Sequence, residues 1–145
     1  MKWIDELVGL TSWGAKIGIG TFLTLELGEK YLTKRKHPRG EWSIWVAGVP
    51  WRIVSGGLSV VDWECQSLNT EQVKILNGKV LESILFEKQL SHITFKFSDE
   101  IVLEVAIEIP DDDSELVLMS KEDTYFLNGD GEIGHEQTTG VFKGQ

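Results

Sequence analysis

Cysteine is almost missing from this chain: Cys65 stands alone among 145 residues. One cysteine excludes an internal disulfide framework and favours a reducing, cytoplasmic setting. Long apolar runs are missing too, since none approaches the ~20 residues that a membrane-spanning helix needs. The opening Met1-Lys2-Trp3-Ile4-Asp5-Glu6 has acids where a secretory signal would carry a basic and then an apolar region, so no export signal is expected. Positive charge is scarce, with 14 Lys and Arg against 23 Asp and Glu, for a net charge of −9. Such a surface repels nucleic acid and anionic membrane and makes a basic partner the better expectation.

What is present is unevenly placed. All six tryptophans fall in the first 63 residues. Residues 1–58 carry eight Lys and Arg against five Asp and Glu, a net of +3, whereas residues 59–145 carry six against eighteen, a net of −12. Aromatic bulk and negative charge are thus separated along the chain. That points to an aromatic core or groove in the first half and an acidic surface in the second. A hydrophobic content of 41% and a charged content of 26% are ordinary for a globular protein of this length. One domain over residues 1–145 is expected, with the glycine-rich, polar stretch 134–145 as a flexible tail.

Periodicity supplies the elements. Trp3, Ile4, Leu7 and Val8 lie at helical spacing and predict a short amphipathic helix. Gly14, Gly18 and Gly20 follow, read as a turn or bulge. Thr21–Leu27 then alternates, with Leu23, Leu25 and Leu27 on one face and Phe22, Thr24 and Glu26 on the other. The run Lys34–Gly40 contains Pro38 and reads as a surface loop. Strands are predicted at Glu41–Ala47 and Trp51–Ser55, a turn at Gly56-Gly57, and an extended run at Leu58–Trp63. Asn69 can cap a second short helix that Asn77-Gly78 ends.

Beyond Lys79 the pattern predicts a β-meander of strands at Val80–Phe86, Ser91–Phe97, Ile101–Ile109, Leu116–Met119 and Thr124–Leu127. Pairing Phe97 with Ile101, Phe95 with Leu103 and Ile93 with Val105 keeps every apolar side chain on one face, which sets the register. Thr94 then faces Glu104. The expected fold is α+β, mainly antiparallel β, as a bent sheet or two-layer sandwich with one or two short helices. The Ile93–Ile109 face should pack against the tryptophan-bearing strands.

No motif carries catalysis. The glycines of Gly14–Thr21 lack the Gly-Lys-Ser/Thr of a phosphate loop and the third glycine of a dinucleotide fingerprint, which would fall at Leu23. Asp111-Asp112-Asp113-Ser114-Glu115 and Asn128-Gly129-Asp130-Gly131-Glu132 lack the alternating ligands and closing glutamate of an EF-hand loop. His37, His92 and His135 share no zinc spacing. Cys65 beside Glu64 reads as an unactivated thiol. No catalytic residue, metal or cofactor is expected. Trp42, Trp45 and Trp51 on neighbouring strands form either an aromatic platform for a ligand or part of the core. Lys34–Arg39 is either an anion contact or a solvated loop.

The stretch Trp13-Gly14-Ala15-Lys16-Ile17-Gly18-Ile19-Gly20-Thr21-Phe22-Leu23-Thr24-Leu25-Glu26-Leu27-Gly28, with Gly40-Glu41-Trp42-Ser43-Ile44-Trp45 and Trp51-Arg52-Ile53, resembles a family of small uncharacterised bacterial proteins. Members are often compared with immunity proteins that neutralise bacterial toxins. The resemblance covers the first 55 residues or so and transfers no catalytic residue. It implies a bacterial cytoplasmic protein that works by binding.

The leading functional expectation is therefore non-catalytic protein binding of the immunity-inhibitor type. The surface would comprise Glu104, Glu108, Asp111, Asp112, Asp113 and Glu115, directed at a basic protein such as a toxin domain. The alternative is small-molecule or glycan binding on the sheet surface bearing Trp42, Trp45 and Trp51. A third is an enzyme whose site carries no recognised motif.

Overall fold

The computed structural model describes residues 1–19, 21–107, 115–127 and 133–138. Helix α1 (Lys2–Leu7) is followed by strands β1 (Ser12–Ile17), β2 (Leu23–Leu27), β3 (Tyr31–Leu32), β4 (Pro38–Arg39), β5 (Trp42–Ala47), β6 (Trp51–Ser55) and β7 (Leu58–Asp62). Helix α2 (Thr70–Val73) and a 3₁₀ turn (Lys74–Leu76) lead into β8 (Leu81–Glu87), β9 (His92–Phe97), β10 (Ile101–Ala106), β11 (Glu115–Ser120), β12 (Asp123–Leu127) and β13 (Ile133–Gln137). The molecule is mostly antiparallel β, with few and short helices.

Two large sheets result. One has the order β1-β2-β5-β11-β12-β13 and the other β7-β6-β10-β9-β8, while β3 and β4 pair only with each other. The predicted register is present: Phe95 faces Leu103, Ile93 faces Val105 and Thr94 faces Glu104. The meander expected beyond Lys79 is divided, however. Strands β8 to β10 stay in the five-stranded sheet, and β11 leaves it to pair with β5 of the other, Leu118 facing Ile44. Alternation identifies which face a strand buries but says nothing of which sheet receives it.

The glycine segment, read as a turn or bulge, lies partly within a strand: Ser12–Ile17 pairs with β2, with its register broken between Trp13 and Lys16 where Gly14 takes φ +65°. This is a bulge, the conformation glycine permits at least strain. Of the expected tail 134–145, residues 134–137 belong to an edge strand on β12, Ile133–Gln137, and residues 139–145 lie outside the described residues. Unpaired backbone groups joined an existing ladder there despite a polar composition.

Leu23, Leu25, Leu27, Trp42, Ile44, Val46, Leu116, Leu118 and Leu127 of the first sheet share one buried cluster with Trp51, Ile53, Ile93, Phe95, Leu103 and Val105 of the second. Trp3 and Leu7, one helical turn apart on α1, and Val73 and Leu76 of the α2 segment complete it. That segment also closes the β1 edge. The Ile17 N–H donates to Thr70 Oγ1 at 3.2 Å, the Ala15 N–H to Asn77 Oδ1 at 2.9 Å, and the Ser12 N–H to the Lys79 carbonyl at 2.8 Å. A four-residue helix is too short to stand by itself, so this docking is what holds it. Among the described residues no helix is long and apolar enough to cross a membrane.

Candidate functional site

Between β2 and β5 the chain leaves the first sheet, forms the β3–β4 hairpin and returns over that sheet's outer face. Two glycines form the neck. A Cβ on Gly28 would meet the Glu41 carboxylate at 2.2 Å, and one on Gly40 would meet the Leu27 carbonyl oxygen at 2.5 Å. Glu41 instead uses that space to accept the Glu29 N–H at 2.8 Å. At the tip, the Thr33 N–H donates to the His37 carbonyl at 2.9 Å and the His37 N–H donates to Thr33 Oγ1 at 3.1 Å. The basic run 34–39 is therefore a fixed hairpin, not only a solvated loop.

Below it, β1, β2 and β5 place Lys16, Thr24 and Trp45 side by side: Lys16 faces Thr24 and Thr24 faces Trp45. All three point away from the shared core. Arg39 of β4 lies over the Trp45 ring, its guanidinium carbon 4.7 Å from the ring centroid. Such a stack restrains the guanidinium and leaves its edge N–H groups open to an acceptor. Phe22 supports the same ring at 6.1 Å. Glu26, buried although ionisable, accepts hydrogen bonds from the Gly40 N–H at 3.0 Å and the Ser43 hydroxyl at 2.5 Å, tying hairpin to sheet. Burial pushes the Tyr31 hydroxyl of β3 up, with Arg39 opposing and Glu26 adding.

Lys16, Phe22, Thr24, Glu26, His37, Pro38, Arg39 and Trp45 line a cleft of about 220 Å³. One group in it is unaccounted for. Thr24 is 8% exposed and its Oγ1 has no hydrogen-bond partner among the described residues. A buried hydroxyl without a partner forfeits about 1–3 kcal/mol.

Two other recesses are lined in part by groups that already engage one another. A larger one of about 370 Å³ lies among α1, the hairpin and the β11–β12 turn. There Lys2 is 3.8 Å from Glu6, Lys121 sits over the Tyr31 ring at 4.2 Å, and Asp123 takes His135 Nε2 at 2.8 Å. His135 in turn stacks on Tyr125, ring centroids 4.5 Å apart. Burial and then the Asp123 carboxylate push the Tyr125 hydroxyl up, Lys2 opposing. On the outer face of the second sheet, a recess of about 310 Å³ contains the Arg52–Glu104 ion pair.

The expected aromatic platform does not assemble. Trp42 is 4% and Trp51 2% exposed, both within the core, and only Trp45 opens outward. Trp42 and Trp45 are an odd number of residues apart on one strand and must face opposite ways. Trp51 lies in the other sheet, its indole N–H donating to the Thr21 carbonyl at 3.0 Å. The acidic set is likewise divided. Glu108, Asp111, Asp112 and Asp113 lie outside the described residues, as does the Asn128–Glu132 stretch. Glu104 is paired with Arg52 in the five-stranded sheet, and Glu115 starts β11 in the six-stranded one. Desolvation pushes the Glu115 carboxyl up.

Sequence reasoning passed over Lys16 and Thr24. The available signal was a tryptophan on the otherwise polar face of a strand, opposite a neighbouring strand's polar face. Among the described residues no three His, Cys, Asp or Glu side chains gather closely enough to hold a metal ion. No family model, curated protein or solved structure matches this chain.

Proposed function

We propose that the chain is a non-catalytic binding protein whose ligand site is the cleft between Trp45 and the hairpin that carries Arg39. The single observation behind this is the unpartnered Thr24 hydroxyl, flanked in its row by Lys16 and Trp45. Polar groups converging on a half-apolar recess are the usual make-up of a small-ligand site. A two-layer sandwich, with both sheets facing one core, would leave this outer face open to a ligand. The reading keeps the ligand-binding expectation but narrows it from three tryptophans to one.

The test is a fragment screen on ¹⁵N-labelled protein. Compounds that shift the Trp45 indole and Thr24 amide signals, and lose that effect in Trp45→Ala, are the expected outcome. A library that leaves every cleft signal in place would refute the site.

A second reading, immunity-type binding of a basic protein such as a toxin domain, draws on the net charge of −12 over residues 59–145. Steering between opposite charges makes such association salt-sensitive. A pull-down washed at low and high salt tests it, and a partner retained equally at both would count against it. The lone Cys65 supports a reducing, cytoplasmic setting for either reading.

A further inference from the structure

Resting on the ligand-cleft reading above, we infer that the ligand is a small polyhydroxylated acid, of the size of one acidic sugar. Charge is the first argument. The cleft brings together Lys16 and Arg39 with a single carboxylate, Glu26, in a protein of net charge −9, and His37 lines it as well. That carboxylate is already engaged by the Gly40 N–H and the Ser43 hydroxyl. A local excess of cations inside an acidic molecule selects an anion, because the rest of the surface repels one. Arg39 is suited to hold it, since stacking on Trp45 restrains the guanidinium while its fork of donors matches carboxylate or phosphate geometry.

Size is the second argument. At about 220 Å³ the cleft lies below the roughly 300–1,000 Å³ typical of sites for drug-sized ligands, so a single compact ring fits and a chain of them does not. The third argument is hydrogen bonding beyond the anion. The Thr24 hydroxyl is both donor and acceptor and has no partner among the described residues, and Glu26 beside it is an acceptor. Hydroxyl groups on the ligand answer both. Arg39 sits over the Trp45 ring, so a ligand that takes its hydrogen bonds changes the environment of that ring.

The experiment titrates D-glucuronate, glucose 6-phosphate and neutral D-glucose into ¹⁵N-labelled protein, following the Trp45 indole and Thr24 amide signals. The first two separate a carboxylate from a phosphate source of the anion. At least one acid is expected to bind about tenfold more tightly than glucose, the scale of one charge-assisted hydrogen bond. Arg39→Met and Lys16→Met should each remove that advantage. The near-isosteric Thr24→Val should weaken the acid about fivefold, the scale of one neutral hydrogen bond. Spectra unchanged outside the cleft would show that each variant is folded.

Glucose binding as tightly as both acids would overturn the inference and leave the cleft reading standing. So would acids that move nothing while other fragments shift the cleft signals. Silence to acids and fragments alike would remove both. Unaltered acid affinity in Thr24→Val would make the hydroxyl a packing defect and overturn its role.

Discussion

Gly40 lies so close to Leu27 that a Cβ would stand 2.5 Å from the Leu27 carbonyl oxygen and 2.8 Å from its nitrogen. The obstacle is backbone of a central strand, which cannot rotate aside. The hairpin carrying Arg39 is thus seated on the sheet by the absence of a side chain.

Gly40→Ala should therefore cost about 1–3 kcal/mol, the usual range for forcing atoms into packed space. The control is Gly134→Ala, where the nearest heavy atom is Phe126 Cβ at an ordinary 3.6 Å, with an expected change within about 0.5 kcal/mol. Urea unfolding of the two variants decides it. Equal stabilities would contradict the tight crossing.

Leu103 is fully buried on β10, between Phe95 of β9 and Ile53 of β6. Leu103→Ala should lose about 2–5 kcal/mol through the cavity it leaves. Leu103→Asp should abolish cooperative folding, because an unpaired buried charge costs several kcal/mol out of a total of ~5–15. A soluble aspartate variant with a sharp thermal transition would refute the placement.

Acrylamide should divide the tryptophans. Trp3, Trp42 and Trp51 are no more than 4% exposed, whereas Trp45 is only half-buried. A downward-curving Stern–Volmer plot is expected, with Trp45→Phe removing part of the quenchable emission, the rest coming from the partly buried Trp13 and Trp63, and Trp42→Phe leaving it. Uniform quenching of all emission would contradict this arrangement.

The Arg52–Glu104 ion pair joins β6 to β10 on a solvated face, with the arginine side chain 57% exposed. Its coupling energy in a double-mutant cycle should stay below about 1 kcal/mol and shrink as salt rises. The hydrogen bond to Glu104 also holds the Arg52 guanidinium above its ordinary range. A salt-independent coupling well above that value would show a drier site than the exposure implies.

Glu115 supplies a pH dependence. Burial raises its folded-state pKa above the ordinary value of 4.5, so between the two values the folded form holds more protons than the unfolded one. Its contribution is fully present below the ordinary value and is lost as pH rises through the raised one. Glu115→Gln should match the parent near pH 4 and exceed it in stability at neutral pH. Parallel stability curves across that interval would contradict the shift.

Much of this architecture was legible in the chain, and the reason is local. The β9–β10 register follows from alternation, because sliding by one residue would turn Phe95, Leu103 and Val105 to water. The second helix was marked by its cap: the Asn69 N–H donates to Gln72 Oε1 at 2.8 Å, and Gly78 takes φ +75° beyond the end. Strand β1 escaped because the Gly14 bulge interrupts its period. The candidate site was half legible: Trp45 and Arg39 could be named, but nothing in the order of residues joined them.

The sequence by itself determined which residues face inward on β2, β9 and β10, where the chain turns, and that acid and aromatic rings are segregated. These depend on period, φ preference and composition, all properties of neighbours in the chain. Tertiary structure alone decided that β5 lies between β2 and β11, that Trp42 and Trp51 enter the core, and that Lys16, Thr24, Arg39 and Trp45 share one cleft. The physical reason is that a strand's backbone groups bond equally well to many partners. Only the burial of every apolar face at once selects among them, and that is a property of the whole molecule.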